Sequence, residues 1–247
     1  MASDEGLLSL AIAVLCGIAL FPFLHTLNII AGRLRRASLR KRLQTATRGK
    51  IVLTYDDGPS ERLQPQLLAA LAEAKARATF FVLVARADAQ ISSVRALIDA
   101  GHEVASHGFS HPDAFRAPAW LIWQDLQRGF SFFARHGLRC GSFRPPYGRV
   151  TCSMIVQCRA ASKPIVLWTV DSGDRLSVMP CVEDLVAKVD AAGGGVVLLH
   201  SHDRDDSANG RQVEEYVLDA TRALLALAER REFEVVTVAD LRLRASW

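Results

Sequence analysis

The chain has 247 residues, half of them hydrophobic, and a formal net charge of +4. That length suits one catalytic domain with a short appendage, and the apolar content excludes a disordered chain. Eight of the 30 Lys and Arg fall between Arg33 and Lys50 with no acidic residue among them, so residues 51–247 keep 22 basic and 24 acidic residues, a net of −2. A body so near neutral argues against a nucleic-acid-binding domain, which carries a basic face of its own.

From Gly6 to Gly32 there is no formally charged residue, and Leu7–Leu24 is nearly all apolar. About 20 such residues cross a bilayer as a helix. Asp4 and Glu5 precede the run and no Lys or Arg does, which is the wrong flank for a cleaved signal peptide. The expectation is one transmembrane helix within an anchor of residues 1–32; a buried hydrophobic helix is the alternative. Residues 33–50 read as a basic linker. Basic residues beside a span stay cytoplasmic, which places the body on the cytoplasmic face, the extracytoplasmic face being the alternative. Membrane lipid is thus an expected partner, through residues 7–32 and through the basic 33–50 segment.

In the body, residues 51–247, short apolar runs alternate with amphipathic stretches. Strands are predicted at Ile51–Tyr55, Thr79–Val84, Glu103–Ser106, Ser142–Arg144, Pro164–Val170, Val196–His200 and Phe233–Val238. Helices are predicted at Gln64–Ala76, near Ser92–Ala100, and at Ala117–His136, Val150–Ala161, Cys181–Ala192 and Arg211–Arg231, with a short closing helix at Ala239–Arg244. A βα unit repeated about seven times predicts an α/β fold of parallel strands with helices outside, either a barrel or a doubly wound sheet. Five cysteines show no CxxC pair and no zinc-finger spacing, and read as buried or idle thiols.

The residues able to do chemistry recur at the carboxyl ends of the predicted strands. Asp56 and Asp57 follow the first, His107 and His111 the third, Arg144 and Tyr147 the fourth, Asp171 and Asp174 the fifth, and His200 ends the sixth. In a parallel barrel those ends share one face, where barrel active sites are built. His107-Gly-Phe-Ser-His111 is an H-x3-H pair in a loop; two histidines with the carboxylate of Asp57 suit Zn²⁺ or a similar divalent ion, while hydrogen-bonded core or surface histidines are the alternative. Two adjacent carboxylates ending an apolar strand repel each other. A metal on Asp57 would relieve that repulsion and leave Asp56 as a base; a simple turn is the alternative. Pro145 and Pro146 withhold two N–H donors, so Tyr147 supplies the next one, suited to an oxyanion or merely part of a stiff connector. His200 is either a satisfied core histidine or a general acid whose other ring nitrogen Asp174 could hold. The polar loop Asp203–Gly210 reads as a solvated loop over the cleft, and His202 as a bystander or a substrate contact.

Taken in order, T-Y-D-D-G-P at 54–59, H-G-F-S-H at 107–111, R-P-P-Y at 144–147, D-S-G-D at 171–174 and L-L-H at 198–200 resemble the polysaccharide deacetylase family, carbohydrate esterase family 4, over roughly residues 51–240. The resemblance implies a distorted (β/α) barrel and a divalent metal ion, zinc first, with Co²⁺ or another divalent ion as the alternative. It implies Asp56 as catalytic base, Asp57, His107 and His111 as metal ligands, and Arg144 orienting Asp56. Tyr147 would lend its N–H to the oxyanion, with His200 as acid tuned by Asp174. The implied reaction is removal of an N-acetyl group from an amino-sugar glycan or a lipid-linked saccharide, releasing acetate. An O-deacetylase and a catalytically silent sugar-binding module are the alternatives. One position departs: Arg175 stands where the family usually has a tryptophan after the aspartate, which points to a different pocket wall or to an anionic group on the substrate.

Overall fold

The computed structural model describes residues 26–176, 178–203 and 208–243. Helix α1 spans 26–46, followed by β1 (Lys50–Asp56), α2 (Leu63–Glu73), β2 (Thr79–Val82), α3 (Val84–Ala89), α4 (Ile91–Asp99) and β3 (Glu103–Ser106). The chain continues through α5 (Ala119–Arg135), α6 (Cys152–Ala160), β4 (Val170–Asp171), α7 (Val182–Ala191), β5 (Gly194–His200), α8 (Ala208–Arg231) and β6 (Glu234–Val235). All pairings are parallel, in the order β3-β2-β1-β5-β4, with β6 beside the first residues of β1. Isolated parallel bridges carry the sheet on from Ser106 to Phe143 and from Phe143 to Ile165. The stretch from Ile165 to Val170 therefore meets the sheet at both of its edges and bends it into an incomplete barrel.

Period-2 alternation sorts β1 and β5 between two cores. Ile51, Leu53, Tyr55, Val197 and Leu199 face one cluster, packed under α2, α4, α7 and α8. Val52, Val196 and Leu198 face the other, with Phe81, Ala105, Phe143 and Val166. Asp56 and His200 are register partners and fall on the inner side of that alternation. Strand geometry alone thus puts a carboxylate and an imidazole side by side at the mouth of the barrel.

The strand count is six rather than the seven expected. Ser142–Arg144 pairs only at Phe143, because Pro145 and Pro146 have no N–H to extend the ladder. Of Pro164–Val170, only the bridge at Ile165 and Val170 itself pair; β4 continues into Asp171. β5 starts earlier than predicted, at Gly194, where a side chain would run into the backbone oxygens of Lys50 and Thr47.

The expected linker is not a linker. Residues 33–46 belong to α1, and Leu39 and Leu43 are buried in the inner cluster. Thr47 closes the helix by donating its N–H and hydroxyl to Leu43 O. The far end of the expected anchor, 26–32, is also part of α1 and rests on the body: Cys152 N–H donates to Asn28 Oδ1 at 2.7 Å, and Gly32 lies too close to Val150 for any side chain. The remainder of the expected span, through residue 25, lies outside the described residues. Among the described residues no helix is long and apolar enough to cross a membrane. The four described cysteines, Cys140, Cys152, Cys158 and Cys181, are free thiols.

If α1 is part of the folded body, Leu43→Ala should cost about 2–5 kcal/mol in chemical denaturation. A change within experimental error would return 33–46 to the status of a tether.

Candidate active site

Every site residue expected from the sequence reaches one cleft or the shell directly beneath it. The cleft encloses about 470 Å³ and is lined by Asp56, Asp57, His107, His111, Tyr147 and His200, among others. Neighbouring strand residues point to opposite faces, so Asp56 and Asp57 would normally diverge. The chain leaves β1 at Asp57 with φ +68°, a left-handed conformation that brings the second carboxylate into the same cleft. His111 (φ +65°) and Tyr147 (φ +55°) are held the same way. Left-handed backbone at three non-glycine residues of one cleft marks a site whose surroundings enforce its geometry.

Arg144 is the buried organiser. Its side chain is wholly inaccessible; Nη1 donates to Asp56 Oδ1 at 2.7 Å and to Thr54 Oγ1 at 2.8 Å, and Nη2 donates to Leu167 O at 3.2 Å. Burial lowers the guanidinium pKa, and the adjacent Asp56 charge opposes that shift. The Arg144 carbonyl accepts from His107 Nδ1 at 2.8 Å, which fixes the tautomer and turns Nε2 toward the carboxylates.

His107 Nε2 and His111 Nε2 each lie 3.5 Å from Asp57 Oδ1. The three ligand atoms sit within 4.8 Å of one another, and Asp57 Oδ1 is buried without a hydrogen-bond partner. Ligands around a tetrahedral ion at zinc bond lengths lie about 3.4 Å apart, so this arrangement fits a divalent cation. Burial alone would raise the Asp57 pKa; His107, His111, His200 and His202 overcome it and hold the carboxyl below its ordinary range. The His111 imidazole is pushed down by burial and by His107. A neutral imidazole and an ionised carboxylate are the forms that ligate metal.

Beside this cluster, beneath His200, Asp174 is completely buried. Its Oδ1 accepts from His200 Nδ1 and its Oδ2 from the His200 backbone N–H, both at 2.7 Å. Burial pulls the imidazole down, but the Asp174 charge and hydrogen bond, with Asp56 and Asp57 behind them, raise its pKa to about 9. Tyr147 has an exposed ring, edge-on to His111 with centroids 4.5 Å apart.

Some residues at or behind the cleft gave no sequence signal, and others do more there than the sequence suggested. Asp125, from α5, accepts the N–H groups of Phe109 and Ser110 and the Ser110 hydroxyl, and so holds the loop between the two histidines. Gly108, at φ +87°, would place a Cβ only 2.5 Å from that carboxylate. His202 Nδ1 approaches Asp57 Oδ2 to 3.8 Å, closer to the site than a bystander. Trp168, Arg36, Arg40 and Arg149 also line the cleft. Arg175, at the position of the missing tryptophan, lies at the rim and donates to Asp171 Oδ2 at 2.8 Å. Asp203 does not merely top the cleft: it accepts from Ser60 and from the N–H groups of Glu61 and Arg62, tying the loop after β5 to the start of α2.

The family model described as polysaccharide deacetylase matches residues 44–167. A peptidoglycan-N-acetylglucosamine deacetylase of Bacillus cereus is 30% identical over 193 residues, covering 77% of this chain and 87% of that protein. The chain belongs to the polysaccharide deacetylase family. A chitooligosaccharide deacetylase of a Bradyrhizobium species is 29% identical, covering 77% of this chain and 90% of its own. The solved structure of a family 4 carbohydrate esterase from Streptomyces lividans in complex with acetate superposes with a TM-score of 0.61 at 29% identity, covering 74% of this chain and 88% of that one.

The Asp174–His200 dyad makes a titration prediction. In metal-free protein the His200 imidazole should titrate near pH 9 by NMR. Because its folded pKa is raised, the stability it contributes is fully present below about pH 6.5 and lost as pH rises through 9. Asp174→Asn should drop the titration toward or below 6.5, since burial is then less opposed. An unchanged midpoint would mean that Asp174 does not set it.

Proposed function

We propose that this chain is a metal-dependent hydrolase that removes the N-acetyl group from an acetylated amino-sugar glycan or lipid-linked saccharide, releasing acetate. The observation that carries the reading is the pairing of two complementary groups side by side in one cleft: a buried carboxylate held by Arg144 and an imidazole held protonated by Asp174, beside a cation-fitting Asp-His-His cluster.

A divalent cation held by Asp57, His107 and His111, Zn²⁺ by the character of two imidazoles and a carboxylate, would supply Lewis-acid polarisation of the acetamide carbonyl and of the attacking water. Arg144 occupies Asp56 Oδ1, so Oδ2 remains for the water proton. Asp56 is the general base: it takes that proton as the water oxygen bonds to the carbonyl carbon. Tyr147, forced into a left-handed conformation, offers its N–H to the oxyanion. His200, protonated below about pH 9, gives its proton to the amide nitrogen as the C–N bond breaks. Acetate and a free amino sugar leave.

Asp56→Asn is expected to lower kcat for acetate release by at least about 100-fold while metal content, measured by elemental analysis, stays stoichiometric. His107→Ala should lose both. Full activity in Asp56→Asn would remove the base assignment, and full metal occupancy in His107→Ala the ligand assignment. Release of acetate from O-acetylated but not N-acetylated sugars would make the chain an esterase, and sugar binding without release would make it a binding module.

The same reading extends to location: a single-pass membrane protein with its body on the cytoplasmic face. The apolar run Leu7–Leu24, followed by the basic residues of α1, supports it. So does an exposed apolar stripe of Leu27, Ile30 and Leu34, on the opposite side of α1 from Gly32, Leu39 and Leu43. Protein made in its native membrane should resist carbonate extraction, and a protease should cut the body only in inside-out vesicles. Cutting only in right-side-out vesicles would invert the topology.

A further inference from the structure

Four arginines line the cleft: Arg36 and Arg40 from α1, Arg149 from the loop before α6, and Arg175 from the loop after β4. Their counter-ions are unevenly shared. Arg149 pairs with Asp113, and Arg175 with Asp171. The buried Arg144 takes Asp56. Arg36 and Arg40 pair with no carboxylate among the described residues. Arg40 spends only its Nε, on Trp168 O at 3.1 Å, while Arg36 lies 5.9 Å from the Trp168 ring and beside Gly148.

This arrangement is unfavourable without a ligand. Arg36 and Arg40 are at i and i+4 of one helix, where like charges repel. Burial and the charges of Arg40 and Arg149 together push the Arg36 guanidinium below its ordinary range. Guanidinium groups crowded at a cleft wall, with the forks of Arg36 and Arg40 unpaired with any carboxylate among the described residues, are suited to an oxyanion that accepts in bidentate fashion. A single carboxylate brings one charge, whereas a phosphate monoester brings close to two at neutral pH and a diphosphate at least as many.

We propose that Arg36 and Arg40, with Arg149, bind a phosphate carried by the substrate next to the acetylated amino sugar, so that this enzyme acts on a phosphorylated saccharide rather than on a neutral glycan. The proposal rests on the deacetylase reading above and names its substrate class. α1 is then a specificity element as well as a structural one, and the phosphate belongs either to a lipid carrier or to a soluble sugar phosphate.

The test uses the full chain in detergent micelles, loaded with Zn²⁺, and measures acetate release from four compounds. They are polyprenyl-diphosphate-linked N-acetylglucosamine, UDP-N-acetylglucosamine, N-acetylglucosamine 1-phosphate and the neutral trimer chitotriose. At least one phosphorylated compound should exceed chitotriose by tenfold or more in kcat/KM; which one separates the lipid source from the soluble source. In Arg36→Gln and Arg40→Gln that preference should fall at least tenfold, mainly through KM, and Arg36→Lys should recover part of it. Arg36→Gln makes the test independent of the Arg40–Trp168 bond should Arg40→Gln fail to fold. A second readout avoids turnover: inorganic pyrophosphate should raise the melting temperature of metal-free protein, and Arg36→Gln should abolish the shift. Chitotriose turned over as well as the phosphorylated compounds, with no pyrophosphate shift, would overturn the phosphate site and leave the deacetylase reading standing. Acetate release from none of the four would overturn both.

Discussion

A guanidinium sealed inside the barrel organises this protein. Arg144 has no accessible surface, and a buried charge is expensive unless it is paired and its donors are used. Here they are used: Asp56 and Thr54 of β1 take one nitrogen, the Leu167 carbonyl another, and the Phe81 ring lies 4.1 Å from the guanidinium carbon. These partners come from β1, β2 and the stretch that closes the sheet, so the charge joins the parts of the incomplete barrel at the level of the cleft. The same residue's carbonyl orients His107. The Asp56 carboxylate and the His107 imidazole are therefore positioned by one residue, and neither can shift without disturbing the other.

Around that pair, neighbours shift the titrating groups in different directions. Asp57 is held below its ordinary pKa among four histidines, His200 included, which favours cation binding. His200 is held on the buried Asp174, which favours a proton donor. The separation comes from environment and not from residue type, since His111, in the same cleft, is shifted the other way by burial and by His107. Neighbours that drive pKa values apart let one cleft hold an ionised carboxylate, a neutral imidazole and a protonated imidazole together.

α1 changes the picture of how the cleft is walled. It seals the inner core with Leu39 and Leu43 and presents Arg36 and Arg40 to the site from the next positions on the same side. The position after Asp174, where the family resemblance implies an aromatic wall, holds Arg175, while an aromatic ring enters from elsewhere: Trp168 packs beside Gly148, where a Cβ would come within 2.8 Å of the ring. Apolar surface and positive charge thus reach the cleft from segments distant in sequence.

Some of this was open to reading in the residues alone. Alternation along Ile51–Asp56 and Val196–His200 is a property of pleated backbone, so a carboxylate and an imidazole at strand ends could be placed on a common face before any contact was known. The H-x3-H loop and the proline pair announced themselves because metal ligation and missing N–H donors depend on local chemistry. The strand expected at Ser142–Arg144 is missing because two proline residues confine its pairing to Phe143, and the number of hydrogen bonds a short apolar run obtains depends on what lies beside it. The basic stretch 33–46 looked like a solvated linker because its charges outnumber its apolar residues; only a partner surface reveals that Leu39 and Leu43 are enough to dock it. Asp125, Trp168, Arg36 and Arg40 carry no motif, since their roles come from where helices and loops cross. The sequence by itself determined the chemistry at the strand ends, through period and residue type; only the tertiary structure decided which distant side chains surround it, because packing has no sequence period.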